Sequence, residues 1–276
     1  MGSLITAEEL VTKLEDNKQT KLIFVVETEF FSEHSIPGSI QASPSMLSIY
    51  DNAKKCDTPN FDNIINLLNK LNIKKDDNLV IYDKGITTIA SRFIWTLELF
   101  GFYNWQLLDR GFTAWYTLMQ HNNFIINNVV NYKEEIKQEE YILNKKHICD
   151  TDYVVENINN TNVTIWDART KLEYDGLVFQ AKNNGHIPNS INFSHYELFR
   201  DTKTMQLKSL NEIKNSLEKC GITKDKEVIV YCLSHMRSAL AYVVLALLGY
   251  DKRKAYAGSW LCYGNLENVP IETNEI

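Results

Sequence analysis

One cysteine of this 276-residue chain stands where a predicted strand is followed at once by a predicted helix. Residues 228–231 are apolar and mostly β-branched, Cys232 comes next, and residues 239–248 form an apolar run that predicts a buried helix. The first amides of a helix lack partners within the helix and carry partial positive charge, so they stabilise a thiolate. We therefore expect Cys232 to be a nucleophile, with a buried structural cysteine as the alternative.

The second group with chemical potential is Arg237, at the start of the same helix. A guanidinium in this position would hold an anion against the helix amides, whereas a plain core strand needs no such group. Tyrosine phosphatases place five residues between their cysteine and arginine to cup a tetrahedral phosphate. This loop is one residue shorter, and its intervening residues are Leu233, Ser234, His235 and Met236. The spacing therefore favours a smaller anionic group than phosphate.

The stretch from Cys232 to Ser238 reads Cys-Leu-Ser-His-Met-Arg-Ser. It resembles the active loop of the rhodanese family, sulfurtransferases with the familiar pattern Cys-Arg-Ser-Gly-Asn-Arg-Ser, in which the loop surrounds a sulfane sulfur. His235 occupies the place usually taken by glycine. If that position requires a positive φ, histidine is one of the few other residues that adopt it, at some strain.

Further segments carry the same resemblance over nearly the whole chain. Asp167-Ala168-Arg169 and then Gly185-His186-Ile187-Pro188 resemble the opening of a rhodanese domain, and Ala257-Gly258-Ser259-Trp260 resembles the Asp-Gly-Ser-Trp segment of two-domain members. By residue type alone, Asp167 with Arg169 indicates a structural salt bridge, and His186 beside a proline turn indicates a hydrogen-bonded core histidine. The order of these segments ahead of Cys232 makes the resemblance specific.

The chain also contains an internal repeat. Residues 79–83 followed by 94–102 parallel residues 228–232 followed by 243–250, and Asp83 stands where Cys232 stands. We expect an α/β protein of two rhodanese-like domains, each a parallel sheet covered by helices on both faces. The expected N-terminal domain, 1–121, is silent because a carboxylate cannot form a persulfide. A linker, 122–146, with a short helix near 132–138, leads to the catalytic domain, 147–276.

Composition narrows the possible partners. A net charge of −6 with no basic stripe argues against a nucleic-acid surface. The longest apolar run, residues 239–248, is far shorter than a membrane span, so no membrane association is expected. The five cysteines are widely spaced without a Cys-x-x-Cys pair, so no zinc site is suggested. With no secretory signal or Arg-rich transit segment, a cytoplasmic location is expected.

The resemblance implies a double displacement without a metal ion or organic cofactor. Cys232 takes a sulfur from a small anionic donor, thiosulfate or 3-mercaptopyruvate, as a persulfide. It then gives the sulfur to cyanide or to a thiol, such as a low-molecular-weight thiol or a reduced thioredoxin-like protein. Arg237 is expected to orient the donor, and Trp260 to wall the pocket. The loop is completed by Leu233, Ser234, His235, Met236 and Ser238.

Donor choice stays open at this stage. Glu173 stands where related enzymes carry an arginine, and a carboxylate facing the pocket would repel an anionic donor. Arg169 or Lys182 would then compensate, unless both are solvated surface charges. We expect His235 to face solvent. Two other classes remain as alternatives: a non-catalytic partner-binding module, and a cysteine phosphatase or arsenate reductase, against which the short loop argues.

Overall fold

A computed structural model describes residues 2–16, 20–48, 60–121 and 141–274. These residues form two compact units: those before residue 144 make the first, and most of those from 144 onward make the second. The short helix predicted near 132–138, and with it most of the predicted linker, lies outside the described residues.

The first unit is built around a sheet of five parallel strands in the order β1-β5-β4-β2-β3. The first unit also contains a 3-10 helix, Pro44–Leu47. In chain order the elements are β1 Ser3–Ile5, α1 Ala7–Glu15, β2 Lys21–Val25, α2 Thr28–Glu33, β3 Ser39–Ala42, α3 Asp62–Leu71, β4 Leu79–Tyr82, α4 Thr88–Leu99, β5 Trp105–Leu108 and α5 Gly111–His121.

The second unit repeats this architecture. Its five parallel strands follow the order β6-β12-β11-β7-β8, so each strand has a counterpart in the first unit. It contains two 3-10 helices, Lys145–His147 and His195–Leu198, and the second follows β8 as Pro44–Leu47 follows β3. The other elements are β6 Ile148–Cys149, α6 Thr151–Asn157, β7 Val163–Asp167, α7 Lys171–Tyr174, β8 Ile191–Asn192, β9 Phe199–Asp201, β10 Gln206–Leu207, α8 Leu210–Lys219, β11 Glu227–Tyr231, α9 Arg237–Leu247, β12 Arg253–Tyr256 and α10 Ser259–Tyr263.

The central strands β4 and β11 are almost wholly apolar and buried, as expected for parallel strands flanked by helices. Each ends in a tyrosine that anchors the nearby proline turn. The hydroxyl of Tyr82 accepts a hydrogen bond from the amide of Ile36 at 3.1 Å, and that of Tyr231 accepts one from Ile187 at 3.2 Å. These bonds tie the proline turns that precede β3 and β8 to the carboxyl ends of β4 and β11. In the part of the chain that the structure describes, no helix has the length and apolar character needed to cross a membrane.

Candidate active site

Cys232 lies at the carboxyl end of the central strand β11, in the loop that leads into α9. It is a free thiol, and its side chain is only 1% exposed. Its backbone N–H donates to Ser259 Oγ at 3.3 Å, and its carbonyl accepts from the amide of Trp260 at 2.9 Å. The cysteine loop is therefore tied to the first turn of α10.

Two side chains of the same loop lead to the sulfur. The Ser238 hydroxyl donates to Cys232 Sγ at 3.4 Å, and His235 Nδ1 is 2.7 Å from Ser238 Oγ. His235 has a φ of +58°, the conformation that was considered for this position. The expectation that His235 faces solvent is wrong: its side chain is 0% exposed, because the imidazole is drawn inward to hydrogen-bond with Ser238.

The loop's arginine is one half of an ion pair. Arg237 Nη1 and Nη2 donate to the two carboxylate oxygens of Glu173 at 2.6 and 2.7 Å. The amide and hydroxyl of Thr170 also donate to Glu173, at 2.9 and 2.8 Å. Burial alone would raise the pKa of Glu173, but the hydrogen bonds from Arg237 and Thr170 outweigh it and lower the pKa to about 2. Glu173 is thus an ionised carboxylate whose charge is balanced by Arg237. It is not a free carboxylate that would repel an anionic sulfur donor.

Arg169 is not a solvated surface charge. It is 1% exposed, and it binds Asp167 through Nε at 3.0 Å and Nη2 at 2.6 Å. Its guanidinium carbon lies 4.4 Å from the ring centroid of Trp260, whose ring also stacks on Tyr263. Arg169 and Trp260 are therefore packed together behind the loop. Lys182, by contrast, is an exposed surface residue paired with Glu267 at 2.7 Å.

The remaining loop residues are partly open to solvent: Leu233 and Met236 are half-buried, and Ser234 is exposed. The carbonyl of Leu233 accepts from the amide of Leu261 at 2.9 Å. His186 has the structural environment that its sequence context indicates. Its Nδ1 lies 2.8 Å from the carbonyl of Tyr174, and the two rings stack at 3.6 Å.

Sequence reasoning missed His195 and Ser259. His195 is buried, and burial together with the charge of Arg237 lowers its pKa to about 4, so its ring is neutral near pH 7. Nothing in its sequence context indicated this position. Ser259 has a φ of +52°. Its counterpart in the repeat is Gly111, with a φ of +47°, where a Cβ would lie 2.2 Å from the carbonyl oxygen of Asp83. The correspondence of Ser259 with Gly111 in the repeat is therefore the sequence feature that could have identified Ser259.

The first unit shows what such a loop binds. The buried carboxylate of Asp83 accepts hydrogen bonds from four loop amides at 2.9–3.2 Å, those of Gly85, Thr87, Ile89 and Ala90. The amides at the matching positions around Cys232 belong to Ser234, Met236, Ser238 and Ala239. This strand-to-helix loop is therefore a cradle for a negative charge, and in the first unit its own carboxylate fills it.

Comparison with known proteins agrees with this architecture. The model of the rhodanese-like domain matches residues 6–118 and 150–264, so the chain belongs to the rhodanese family. Both the predicted family and the predicted fold of two α/β domains are confirmed.

Relatives over most of the chain are sulfurtransferases. Thiosulfate sulfurtransferase of Azotobacter vinelandii is 28% identical over 88% of this chain and 87% of its own length. 3-Mercaptopyruvate sulfurtransferase of Escherichia coli is 26% identical over 90% of this chain and 86% of its own length. The crystal structure of SseA from Escherichia coli, a 3-mercaptopyruvate sulfotransferase with the rhodanese fold, covers 93% of this chain and 98% of that chain at 23% identity, with a TM-score of 0.73. The last match supports the fold.

Proposed function

We propose that this protein is a sulfurtransferase that carries a sulfane sulfur as a persulfide of Cys232. The observation that carries the proposal is the position of a free, buried thiol in a strand-to-helix loop whose counterpart binds a carboxylate through four amides. A persulfide sulfur bears the same negative charge as that carboxylate, and the same cradle would stabilise it. The sulfurtransferase relatives imply a sulfur donor and a sulfur acceptor as the two partners.

In the first half-reaction, the Cys232 thiolate attacks the outer sulfur of thiosulfate. A new S–S bond forms as the S–S bond of thiosulfate breaks, and sulfite leaves with the electron pair. With 3-mercaptopyruvate the C–S bond breaks instead, and the enolate of pyruvate leaves and takes up a proton. The loop amides stabilise the negative charge on the sulfur that stays behind.

In the second half-reaction, a nucleophile removes the outer sulfur. Cyanide attacks it, the S–S bond breaks, and Cys232 leaves as a thiolate while thiocyanate is released. The thiolate of a low-molecular-weight thiol or of a reduced thioredoxin-like protein would react in the same way and become a persulfide itself. Neither half-reaction requires a metal ion or an organic cofactor.

The N-terminal half, proposed as residues 1–121, takes no direct part in this chemistry. The cradle of the first unit is filled by the carboxylate of Asp83, which does not act as a nucleophile toward sulfur. The position that matches Arg237, five residues further on, is Thr88, the first residue of α4. The catalytic half is proposed as residues 147–276.

Intact-mass analysis tests the proposal directly. After incubation with thiosulfate or 3-mercaptopyruvate, the wild-type protein should gain one sulfur atom, and the donor that supplies it is the preferred one. Cys232→Ser should gain none while remaining folded, because serine is nearly isosteric but forms no persulfide. Cys220→Ser, which changes an exposed free thiol elsewhere, is the matched control and should load normally. No uptake from either donor would favour a partner-binding module, and turnover of an aryl phosphate would favour a phosphatase.

A further inference from the structure

A hydrogen-bonded chain of three buried side chains ends at the Cys232 sulfur. Ser238 Oγ donates to Cys232 Sγ at 3.4 Å, and His235 Nδ1 lies 2.7 Å from Ser238 Oγ. A hydroxyl has a single proton, and here that proton points at sulfur. Because Ser238 gives its only proton to sulfur, the second bond needs a proton on His235 Nδ1.

The backbone of His235 is strained in order to place this ring. Its φ of +58° lies in the left-handed region, which is unfavourable for a residue with a side chain and open to glycine. The imidazole is nevertheless fully buried against Ser238. A strained residue whose side chain reaches the reacting group through one hydroxyl is evidence that the side chain is used.

We propose that Ser238 stabilises Cys232 Sγ as the leaving group when the persulfide gives up its sulfur, and that His235 is the positioning residue that orients the Ser238 hydroxyl. This rests on the persulfide mechanism proposed above. In the persulfide, Sγ is the inner sulfur, and the negative charge lies on the outer one. When cyanide attacks the outer sulfur, the electron pair of the breaking bond moves to Sγ, so charge develops where Ser238 donates.

The consequence for rates differs between the two half-reactions. A thiolate that is stabilised leaves faster, so the hydrogen bond from Ser238 speeds sulfur release. The same stabilisation makes the thiolate a weaker nucleophile for each ionised molecule but increases the ionised fraction. The Ser238 hydroxyl therefore assists sulfur release at every pH, and it assists sulfur uptake only where the thiol would otherwise be protonated.

Other charged and titratable groups packed around the loop belong to α7, α9, β7 with the residues after it, β11, and the 3-10 helix His195–Leu198. Arg237 is paired with Glu173, whose pKa is lowered to about 2, and Arg169 is paired with Asp167. Burial and Arg237 lower the pKa of His195 to about 4, and burial raises that of Tyr231 well above its usual value. Glu173, His195 and Tyr231 therefore do not change charge between pH 6 and 9, so rates measured in this window are free of their titration.

The test uses the full chain and three variants. Ser238→Ala removes the hydroxyl, His235→Gly removes the ring while suiting the positive φ, and the double variant removes both. Ser91→Ala, a buried serine in α4 of the first unit, is the matched control. Each protein is loaded with thiosulfate, freed of donor and checked by intact mass for one bound sulfur. The loss of that sulfur to cyanide is then timed from pH 6 to 9.

Ser238→Ala should release sulfur about tenfold more slowly across this pH range, because a hydrogen bond to the charge that develops on Cys232 Sγ is lost in the transition state. His235→Gly should show the same pattern. Because His235 acts through Ser238, the double variant should be no slower than Ser238→Ala. Release at the wild-type rate from loaded Ser238→Ala, or multiplied losses in the double variant, would overturn the proposal.

Alkylation of Cys232 separates this inference from the function on which it rests. The pH of half-maximal alkylation should rise by about one unit in Ser238→Ala and in His235→Gly, and not in Ser91→Ala. This shift requires no sulfur transfer. If the wild-type protein takes up no sulfur but the shift is seen, the hydrogen-bonded chain stands and the persulfide mechanism fails. If sulfur is taken up but the shift is absent, the roles of Ser238 and His235 fail.

Discussion

At the scale of single residues, the cysteine loop carries little net charge beyond the thiol. Both terminal nitrogens of Arg237 are bound to Glu173, and Arg169 is bound to Asp167. The sequence identified Arg237 and Glu173 as charged residues of the site, but not as partners, because they are 64 positions apart and only the fold brings them together. The inward position of His235 could not be predicted from the sequence either. It depends on the positive φ of His235 and on the buried hydroxyl of Ser238, three residues later.

Arg237→Ala should raise the KM for thiosulfate and slow persulfide formation. The fall in kcat/KM should correspond to a loss of about 1.5–3 kcal/mol in transition-state stabilisation. A charge-assisted hydrogen bond to thiosulfate is lost, and the Glu173 carboxylate is left unpaired. The double variant Arg237→Ala with Glu173→Gln separates these causes, since it removes the stranded carboxylate. Steady-state kinetics with thiosulfate measures both. Unchanged kinetics in Arg237→Ala would mean that the arginine only holds Glu173 in place.

The Glu173 pair also makes a pH-dependent contribution to stability. Hydrogen bonds from Arg237 and Thr170 lower the folded-state pKa of Glu173 to about 2, whereas an unfolded glutamate titrates near about 4.3. The carboxylate therefore stabilises the fold fully above pH ~4.5, and this contribution is lost as the pH falls toward about 2.

Urea unfolding of the wild type and of Glu173→Gln measures this contribution. The wild type should be more stable by about 2–4 kcal/mol at pH 7, because the glutamine variant leaves the Arg237 charge without its partner. The difference should shrink as the pH is lowered below ~4.5. A difference that stays constant from pH 7 to 3 would show that the ionised carboxylate is not what stabilises this site.

At the scale of elements, β4 with α4 and β11 with α9 place corresponding strand-to-helix loops around different groups. The repeat, the strand-to-helix junctions and the nucleophile were predictable because each has a local pattern: an apolar strand, a polar loop and an apolar helix. The start of a helix has a weaker signal: α4 begins at Thr88, ahead of the segment 94–102 that the repeat identifies. The first turn of α4 depends on Asp83, whose carboxylate accepts hydrogen bonds from the amides of Ile89 and Ala90.

Asp83→Asn should destabilise the first unit and leave sulfur uptake intact. An asparagine side chain has one acceptor oxygen and an NH₂ group, so part of the set of four loop amides would face a donor in place of an acceptor. The expected cost is roughly 2–3 kcal/mol, the penalty for buried donors left unsatisfied. Urea unfolding reports the stability, and intact mass after thiosulfate reports loading. A folded Asp83→Asn protein that no longer loads would mean that the first loop takes part in the chemistry.

At the scale of the whole molecule, the two units share one strand order but differ in the group at their strand-to-helix loop, which is Asp83 in the first unit and Cys232 in the second. The contacts of Cys232 with Ser238, Ser259 and Trp260 all lie within the second unit. That unit begins before its first strand, because the 3-10 helix Lys145–His147 is capped by Asn144 and precedes β6. His147 is buried, and its Nδ1 lies 2.6 Å from the hydroxyl of Tyr242 in α9. The start of this unit is therefore tied to the helix that follows the cysteine loop.

A fragment that starts at residue 144 should accordingly fold and take up sulfur at Cys232. One that starts at residue 150 lacks β6 and the His147–Tyr242 bond, and should be less stable by about 2–4 kcal/mol, since it exposes an edge of the sheet and leaves the buried Tyr242 hydroxyl without this partner. Circular dichroism with urea unfolding compares their stability, and intact mass after thiosulfate compares their loading. If the longer fragment folds but takes up no sulfur while the full chain does, the first unit supplies part of the site. The assignment of that unit as silent would then be wrong.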